Sequence, residues 1–110
     1  MGRLVVSRRE MKRVEYCFEW NREKARANRA KHGVSFEEAA TVFQDPQMVS
    51  VYNGEHSDSE DRWATLGISA IGRVLVVCHT FREASGGSVT IRIISSRKAT
   101  RQETRQYITR

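Results

Sequence analysis

Three short segments of this 110-residue chain hold side chains that can act on a phosphodiester. They are Lys31-His32, the run Glu60-Asp61-Arg62-Trp63, and His79. RNA cleavage without a metal ion needs a base for the 2′-hydroxyl proton, an acid for the leaving 5′-oxygen, and cations for the charge on the phosphorane. The residue types meet these needs. Binding proteins contain the same types, so this set alone leaves the function open.

The run Glu60-Asp61-Arg62-Trp63 places a carboxylate, a guanidinium and an indole where an acidic loop enters a strand. Glu60 fits a general base, Arg62 a phosphate clamp, and Trp63 a platform for stacking on a base. The structural alternative is an ion pair between Arg62 and Glu60 beside a core tryptophan. The sequence supports both interpretations.

His79 ends the most apolar segment of the chain, Val74 to Thr80. An imidazole there fits either a general acid for the leaving group or a histidine that is hydrogen-bonded in the core. Lys31 precedes His32 and Gly33 at a predicted helix end. It can face phosphate, or it can simply favour the negative end of the helix dipole.

The absence of several known motifs excludes the classes of enzyme that depend on them. The chain contains no P-loop, no glycine-rich dinucleotide turn, no nucleophile elbow and no His-Glu-x-x-His sequence. Cys17 and Cys78 are far apart in the sequence and have no zinc-like spacing, so we expect reduced structural thiols. We therefore expect neither a cofactor nor a metal site.

The formal net charge of +6 is concentrated at the two ends of the chain. Residues 1–15 carry +3, residues 16–96 carry −1 and residues 97–110 carry +4. Local basic patches suit RNA or an acidic protein partner, although charge runs are also common on solvated faces. Helical spacing places Lys24, Asn28 and Lys31 on one stripe. The candidate RNA contacts are Lys24, Asn28, Arg92, Arg97 and Arg101.

The longest strongly apolar run, Val74 to Cys78, is much shorter than a membrane span. The N-terminus lacks the apolar core of a signal peptide, so we expect a soluble, cytoplasmic protein without membrane association. The length suits one domain, over residues 16–110. Residues 1–15 form a basic leader, which is either disordered or a non-native start before Met11.

The hydrophobic pattern predicts an α+β fold. A strand over Val14–Trp20 precedes two helices, one over residues 22–31 and one that starts after the capping pair Ser35 and Glu38. The strands that follow should form a small antiparallel sheet with both helices packed on one face. A basic helix over Ala99–Ile108 completes the chain. The predicted later strands are Met48–Tyr52, Trp63–Ser69, Val74–Phe81 and Val89–Ser95.

Taken together, these short motifs resemble the BrnT family of bacterial type II ribonuclease toxins, which is similar in fold to RelE-type toxins. The resemblance covers about Tyr16 to Tyr107, and its specificity comes from the order and spacing of the motifs. The motifs are Phe18-Glu19-Trp20, Lys24, Asn28, Lys31-His32-Gly33-Val34, Phe36 to Ala39, Val42-Phe43, Asp45-Pro46, His56-Ser57, Glu60, Arg62-Trp63, Leu66-Gly67, Val74 to Thr80, Arg92 to Ser95, Arg97, Ala99-Thr100, Glu103 and Tyr107.

The resemblance implies a metal-independent endoribonuclease that inhibits translation and leaves a 2′,3′-cyclic phosphate. It also implies neutralisation by a partner that resembles BrnA, a DNA-binding antitoxin, through which the complex contacts operator DNA. On this basis Glu60 is the base, His79 is the acid, and Arg62 with Lys31 stabilises the phosphate charge. The candidate catalytic residues are Lys31, Glu60, Arg62, Trp63 and His79.

A second hypothesis is a non-catalytic module that uses the same basic surface to bind RNA or an acidic protein segment. Turnover separates the two hypotheses, because salt-dependent binding is expected of both. A transcription factor is a third hypothesis, for which no helix-turn-helix or ribbon-helix-helix pattern is evident.

Overall fold

A computed structural model of the chain describes residues 2–7, 15–54, 60–83 and 85–109. Within these ranges, strands and helices follow the order of an α+β protein. Strand β1 spans Gly2–Ser7, β2 Glu15–Trp20, β3 Val49–Tyr52, β4 Arg62–Ile68, β5 Val74–Thr80, β6 Arg82–Glu83 and β7 Ser88–Lys98. Helix α1 spans Arg22–His32, α2 Phe36–Thr41 and α3 Arg101–Thr109, and a 3-10 turn, Val42–Gln44, extends α2.

The strands form one mixed sheet in the order β1-β2-β7-β5-β4-β3, and β6 pairs with β7 as an extension of the β5 position. Strands β3, β4, β5 and β7 pair antiparallel, as predicted. Strand β2 instead pairs parallel with β7, from Glu15 opposite Ser88 to Glu19 opposite Arg92. Strand β2 thus joins the antiparallel set of later strands in parallel orientation, because α1 and α2 carry the chain over the sheet between β2 and β3.

The core lies between the sheet and the two N-terminal helices. Phe18 on β2, Ile91 on β7 and Val77 on β5 are fully buried, and Phe36 and Ala39 of α2 meet them. These positions alternate along each strand and recur at helical spacing along α2, so the hydrophobic pattern predicts their burial. We call the surface of the sheet that bears these helices the helix face and the opposite surface the distal face.

Helix ends are set by local side chains, as the sequence predicts. The Asn21 side-chain oxygen accepts a hydrogen bond from the Lys24 backbone N–H at 3.0 Å, and Ser35 caps α2 through the Glu38 N–H at 3.0 Å. Gly33 ends α1 with φ of 69°, a left-handed conformation that favours glycine.

Helix α3 follows β7 and lies against the distal face, where Glu103 and Gln106 border a cleft whose floor includes Ala64, Leu66 and Val76. Arg97 of β7 donates two hydrogen bonds to Glu103, at 2.7 and 3.0 Å. The C-terminal helix thus covers part of the distal face and leaves the opposite end of that face open.

Part of the N-terminal leader lies in the sheet. The backbone of Gly2–Ser7 pairs antiparallel with β2 as an edge strand, so this part of residues 1–15 adds to the sheet. Residues 8–14 and the loop around His56 lie outside the described residues. No helix within the described ranges is long and apolar enough to span a membrane.

Candidate functional site

The predicted catalytic residues of β4 and β5 lie at one end of the sheet but on opposite faces. In the strand register, Trp63 lies opposite His79, and Arg62 lies opposite Thr80. Successive side chains of a strand point to opposite faces, so Trp63 and His79 belong to the helix face while Arg62 and Thr80 belong to the distal face. The site therefore consists of two neighbouring clefts.

The cleft on the distal face is lined by charged side chains, and we call it the arginine cleft. Its volume is about 280 Å³. Glu60 forms an ion pair with Arg92 there, and their side chains are 37% and 40% exposed. Arg62 lies at its border, because its register partner Thr80 is one of the lining residues. The lining residues are Glu19, Glu60, Asp61, Thr80, Phe81, Arg82, Thr90 and Arg92.

This arrangement follows from the register of three strands. Arg92 on β7 lies opposite Glu19 on β2, and Arg82 on β6 lies opposite Thr90, two residues before Arg92. Residues two apart on a strand share a face, so these positions converge on the distal face. The guanidinium groups of Arg82 and Arg92, with Arg62 at the border, can bind a phosphate. The lining carboxylates, Glu19, Glu60 and Asp61, offer a base next to it.

The cleft on the helix face is lined mainly by aromatic and apolar side chains, and we call it the aromatic cleft. Its volume is about 140 Å³. The Trp63 ring packs against Tyr52 with the ring centroids 5.3 Å apart, and its centroid lies 6.4 Å from that of Phe81. Phe81 is 42% exposed and lines both clefts. The lining residues are Tyr16, Phe43, Met48, Ser50, Trp63, His79, Phe81 and Ile91.

His79 forms the polar floor of the aromatic cleft. It is 2% exposed, its Nε2 lies 2.6 Å from the Thr65 hydroxyl, and its Nδ1 lies 2.9 Å from the Thr80 carbonyl oxygen. Burial lowers the pKa of His79 to about 4, against a smaller opposing effect of the Thr80 carbonyl, so the imidazole is neutral at pH 7. The geometry therefore argues against the predicted general-acid role, because both ring nitrogens are occupied and no ring proton is available to a leaving group.

Lys31 lies at the other end of the fold. It is exposed near the end of α1, and the carbonyl of the neighbouring Gly33 accepts a hydrogen bond from Arg73, which directly precedes β5. His79 lies at the opposite end of β5 from Arg73, and Arg62 of β4 pairs with Thr80 at that same end. Strand β5 extends about 20 Å. The structure therefore does not bring Lys31 and Arg62, which the sequence predicts to act together, to one phosphate.

Asn28 is a structural residue. It is 7% exposed, and its side-chain amide donates to the carbonyls of Val34 at 3.0 Å and Ser96 at 2.8 Å. Its oxygen accepts from the Ser96 backbone N–H at 3.0 Å. These bonds fasten α1 to β7 and occupy the side chain that the sequence predicts to contact RNA.

The other candidate RNA contacts occupy separate places. Arg97 is held by Glu103 on the distal face, and the same ion pair holds the pKa of Glu103 down at about 2. Lys24 is exposed in the first half of α1, and Arg101 is exposed at the start of α3. Arg92 alone among these candidates lines the arginine cleft.

Sequence reasoning missed Arg82, Phe81, Ser50 and Thr65. Alternation of side chains beyond His79 is the signal that could have found two of them. It predicts that Arg82 shares a face of the sheet with Thr80 and that Phe81 shares the other face with His79. The hydroxyl pair Ser50 and Thr65 depends on the β3–β4 register, which the sequence does not specify. Within the described residues, no group of three or more His, Cys, Asp or Glu side chains is arranged to hold a metal ion.

Comparison with known proteins agrees with the motif pattern. The family model described as the ribonuclease toxin BrnT of type II toxin–antitoxin systems matches residues 20–103. The 1.1 Å crystal structure of the Brucella abortus ribonuclease toxin BrnT is similar in fold, with a TM-score of 0.55 and 19% identity over 76% of this chain and 96% of that one. No curated protein matches the chain in sequence. Because the family model covers most of the chain, this protein belongs to the BrnT family of type II ribonuclease toxins.

Proposed function

We propose that this protein is a metal-independent endoribonuclease whose scissile phosphate binds in the arginine cleft. The observation that supports this most is the grouping of Arg62, Arg82 and Arg92 with Glu60 at one end of the distal face, in a member of a ribonuclease toxin family. The arginines offer paired donors that match the geometry of a phosphate oxyanion. The carboxylate offers a base next to them.

In the proposed reaction, Glu60 removes the proton from the RNA 2′-hydroxyl. The 2′-oxygen attacks the adjacent phosphorus, the bond from phosphorus to the 5′-oxygen breaks, and the products are a 2′,3′-cyclic phosphate and a 5′-hydroxyl end. Arg62 and Arg92 stabilise the negative charge of the phosphorane. The leaving oxygen takes its proton from water in the open cleft, since His79 is neutral and buried on the other face.

The ion pair between Glu60 and Arg92 gives this reaction a substrate-dependent step. In the free protein, Arg92 holds the carboxylate that is to act as base. A phosphate in the cleft competes for the same guanidinium, because an arginine fork binds phosphate and carboxylate alike. Substrate binding therefore releases Glu60 beside the 2′-hydroxyl.

The same cleft is the proposed site of inhibition. Arginines around an open cleft attract acidic protein segments as well as RNA. We extend the proposal to a BrnA-like antitoxin that covers the arginine cleft and prevents translation inhibition, with operator DNA contacted through the antitoxin.

The test is an RNA cleavage assay in excess EDTA with toxin separated from its partner. We expect the wild-type protein to cleave a mixed RNA substrate and to leave cyclic phosphate ends. Glu60→Gln keeps the size of the side chain and removes the base, so its rate should fall by roughly 10²-fold or more. Glu23→Gln, on exposed α1, is the matched control and should cleave as wild type does.

Loss of cleavage in EDTA that returns with a divalent ion would contradict metal independence. Intact RNA under all conditions, with folding and RNA binding confirmed and ribosomes supplied, would favour the alternative of a non-catalytic binding module. Equal rates for Glu60→Gln and wild type would remove Glu60 from the mechanism.

A further inference from the structure

The helix face carries a directed chain of hydrogen bonds that ends in the aromatic cleft. His79 is neutral, and its Nδ1 faces the Thr80 carbonyl, which only accepts, so Nδ1 carries the ring proton. Nε2 is then an acceptor and takes the Thr65 hydroxyl proton at 2.6 Å. Thr65 has no second proton, so the contact of 2.7 Å to Ser50 has the Ser50 hydroxyl as donor.

The direction of these hydrogen bonds determines whether Ser50 can act as a donor or as an acceptor toward a ligand. Its only hydroxyl proton points to Thr65, so the remaining lone pairs of Ser50 Oγ accept hydrogen bonds. Ser50 is an exposed residue that lines the aromatic cleft. The cleft therefore presents one acceptor among aromatic and apolar side chains.

The walls of the aromatic cleft suit a planar, largely apolar ligand. Its volume of about 140 Å³ is below the range of sites that enclose a whole small molecule, about 300–1,000 Å³, so the cleft suits a fragment such as a single ring system. Trp63 and the exposed ring of Phe81 provide flat surfaces for stacking. Because Phe81 also borders the arginine cleft, a ligand bound on one side of it can be joined covalently to a phosphate on the other.

We propose that the aromatic cleft binds one unstacked nucleobase of the RNA substrate, and that Ser50 favours bases with an exocyclic amino group. Adenine, cytosine and guanine carry such a donor, whereas uracil presents carbonyls at the corresponding positions. This inference rests on the proposed function for the identity of the polymer. It adds a base-recognition subsite on the face of the sheet opposite the phosphate site.

The test is a binding titration of the full-length free toxin, followed by NMR at the Trp63 indole resonance, which is assigned by its loss in Trp63→Phe. The probes are AMP, CMP, UMP and ribose 5-phosphate, of which the last has the phosphate but no base. We expect AMP and CMP to bind more tightly than UMP, and ribose 5-phosphate to leave the indole unshifted. Phe81→Ala should weaken AMP binding by roughly tenfold.

Ser50→Ala tests the acceptor. It should lower the affinity for AMP and CMP by about 3- to 10-fold and leave that for UMP nearly unchanged. Ser88→Ala, at the start of β7, is a matched control for loss of a hydroxyl and should change none of these affinities. Thermal unfolding of each variant shows whether it is folded.

Three results would overturn the base subsite. They are an indole shift with ribose 5-phosphate equal to that with AMP, equal affinities for AMP and UMP, and no effect of Ser50→Ala. If RNA is still cleaved in any of these cases, the base subsite fails and the ribonuclease proposal stands. Base-selective binding without any RNA cleavage would support the base subsite and contradict the ribonuclease proposal.

Discussion

At the residue scale, His79 shows how burial decides the chemistry that a side chain can perform. The sequence places an imidazole at the end of an apolar strand, a position equally suited to catalysis and to the core. In the structure, the Thr65 hydroxyl and the Thr80 carbonyl occupy both nitrogens, and the ring contacts Phe43 edge-on with centroids 4.9 Å apart. Such a histidine orients its neighbours instead of exchanging protons with a substrate.

The pKa of His79 predicts a pH dependence of stability. The unfolded chain binds the proton with the ordinary pKa of 6.5, but the folded protein does so only at about 4. Between these values the unfolded state holds more protons, so the free energy of unfolding falls as the pH is lowered through this window, by about 3 kcal/mol in all. Chemical denaturation at several pH values from 7 to 4 measures this fall.

In His79→Gln the fall between pH 6.5 and pH 4 should be much shallower, whatever the stability of the variant at pH 7. His32→Gln, at the partly exposed end of α1, should keep the wild-type slope. The same steep slope in His79→Gln as in wild type would show that other groups cause it.

At the element scale, the positions of most helices and strands could be predicted from the sequence, but the parallel pairing of β2 with β7 could not. Apolar spacing and caps locate α1, α2 and β4 to within about two residues, because these signals are local. Whether β2 pairs parallel or antiparallel with β7 depends on contacts between residues more than 70 positions apart, for example Tyr16 with Val89. No local pattern contains that information.

Strand alternation also explains why the candidate site was only partly predicted. Arg62 and Trp63 are neighbours in sequence, and both were assigned to one site. Adjacent residues of a strand face opposite ways, so the sheet separates them into two clefts. Asn28 lies on a helix stripe with lysines, which predicts a contact with RNA, whereas its partners Val34 and Ser96 are visible only in the fold.

The hydrogen bonds between α3 and β7 predict how the stability of α3 depends on pH. Glu103 accepts two hydrogen bonds from Arg97 and one, of 2.8 Å, from the Thr100 backbone N–H. Arg97 holds the pKa of Glu103 at about 2, below its ordinary 4.5, so the stabilisation is present above pH 4.5 and is lost as the pH falls toward 2. Glu103→Gln should remove this dependence and should speed hydrogen exchange in Arg101–Thr109 at pH 7.

Gln102→Ala is the control for this prediction, since Gln102 is exposed in the same helix. Its exchange rates should stay close to those of the wild type. Unchanged exchange in Glu103→Gln would show that α3 is held on the sheet mainly by its apolar contacts.

At the scale of the whole molecule, cations lie on two separate surfaces. Arg62, Arg82 and Arg92 surround one end of the distal face, whereas Lys24 and Lys31 lie on α1 against the helix face. The net charge of +6 does not reveal this division.

The measurement that tests the site most directly compares RNA cleavage rates of variants from the two surfaces, with folding checked for each. We expect Arg62→Ala and Arg92→Ala each to lower the rate by roughly 10²-fold or more, because each removes a group that stabilises transition-state charge. Lys24→Ala and Lys31→Ala should lower it by less than about fivefold, through weakened electrostatic attraction of RNA. Near-normal cleavage by both arginine variants, with loss of cleavage in Lys31→Ala, would rule out the arginine cleft as the site of the reaction and place the reaction on α1.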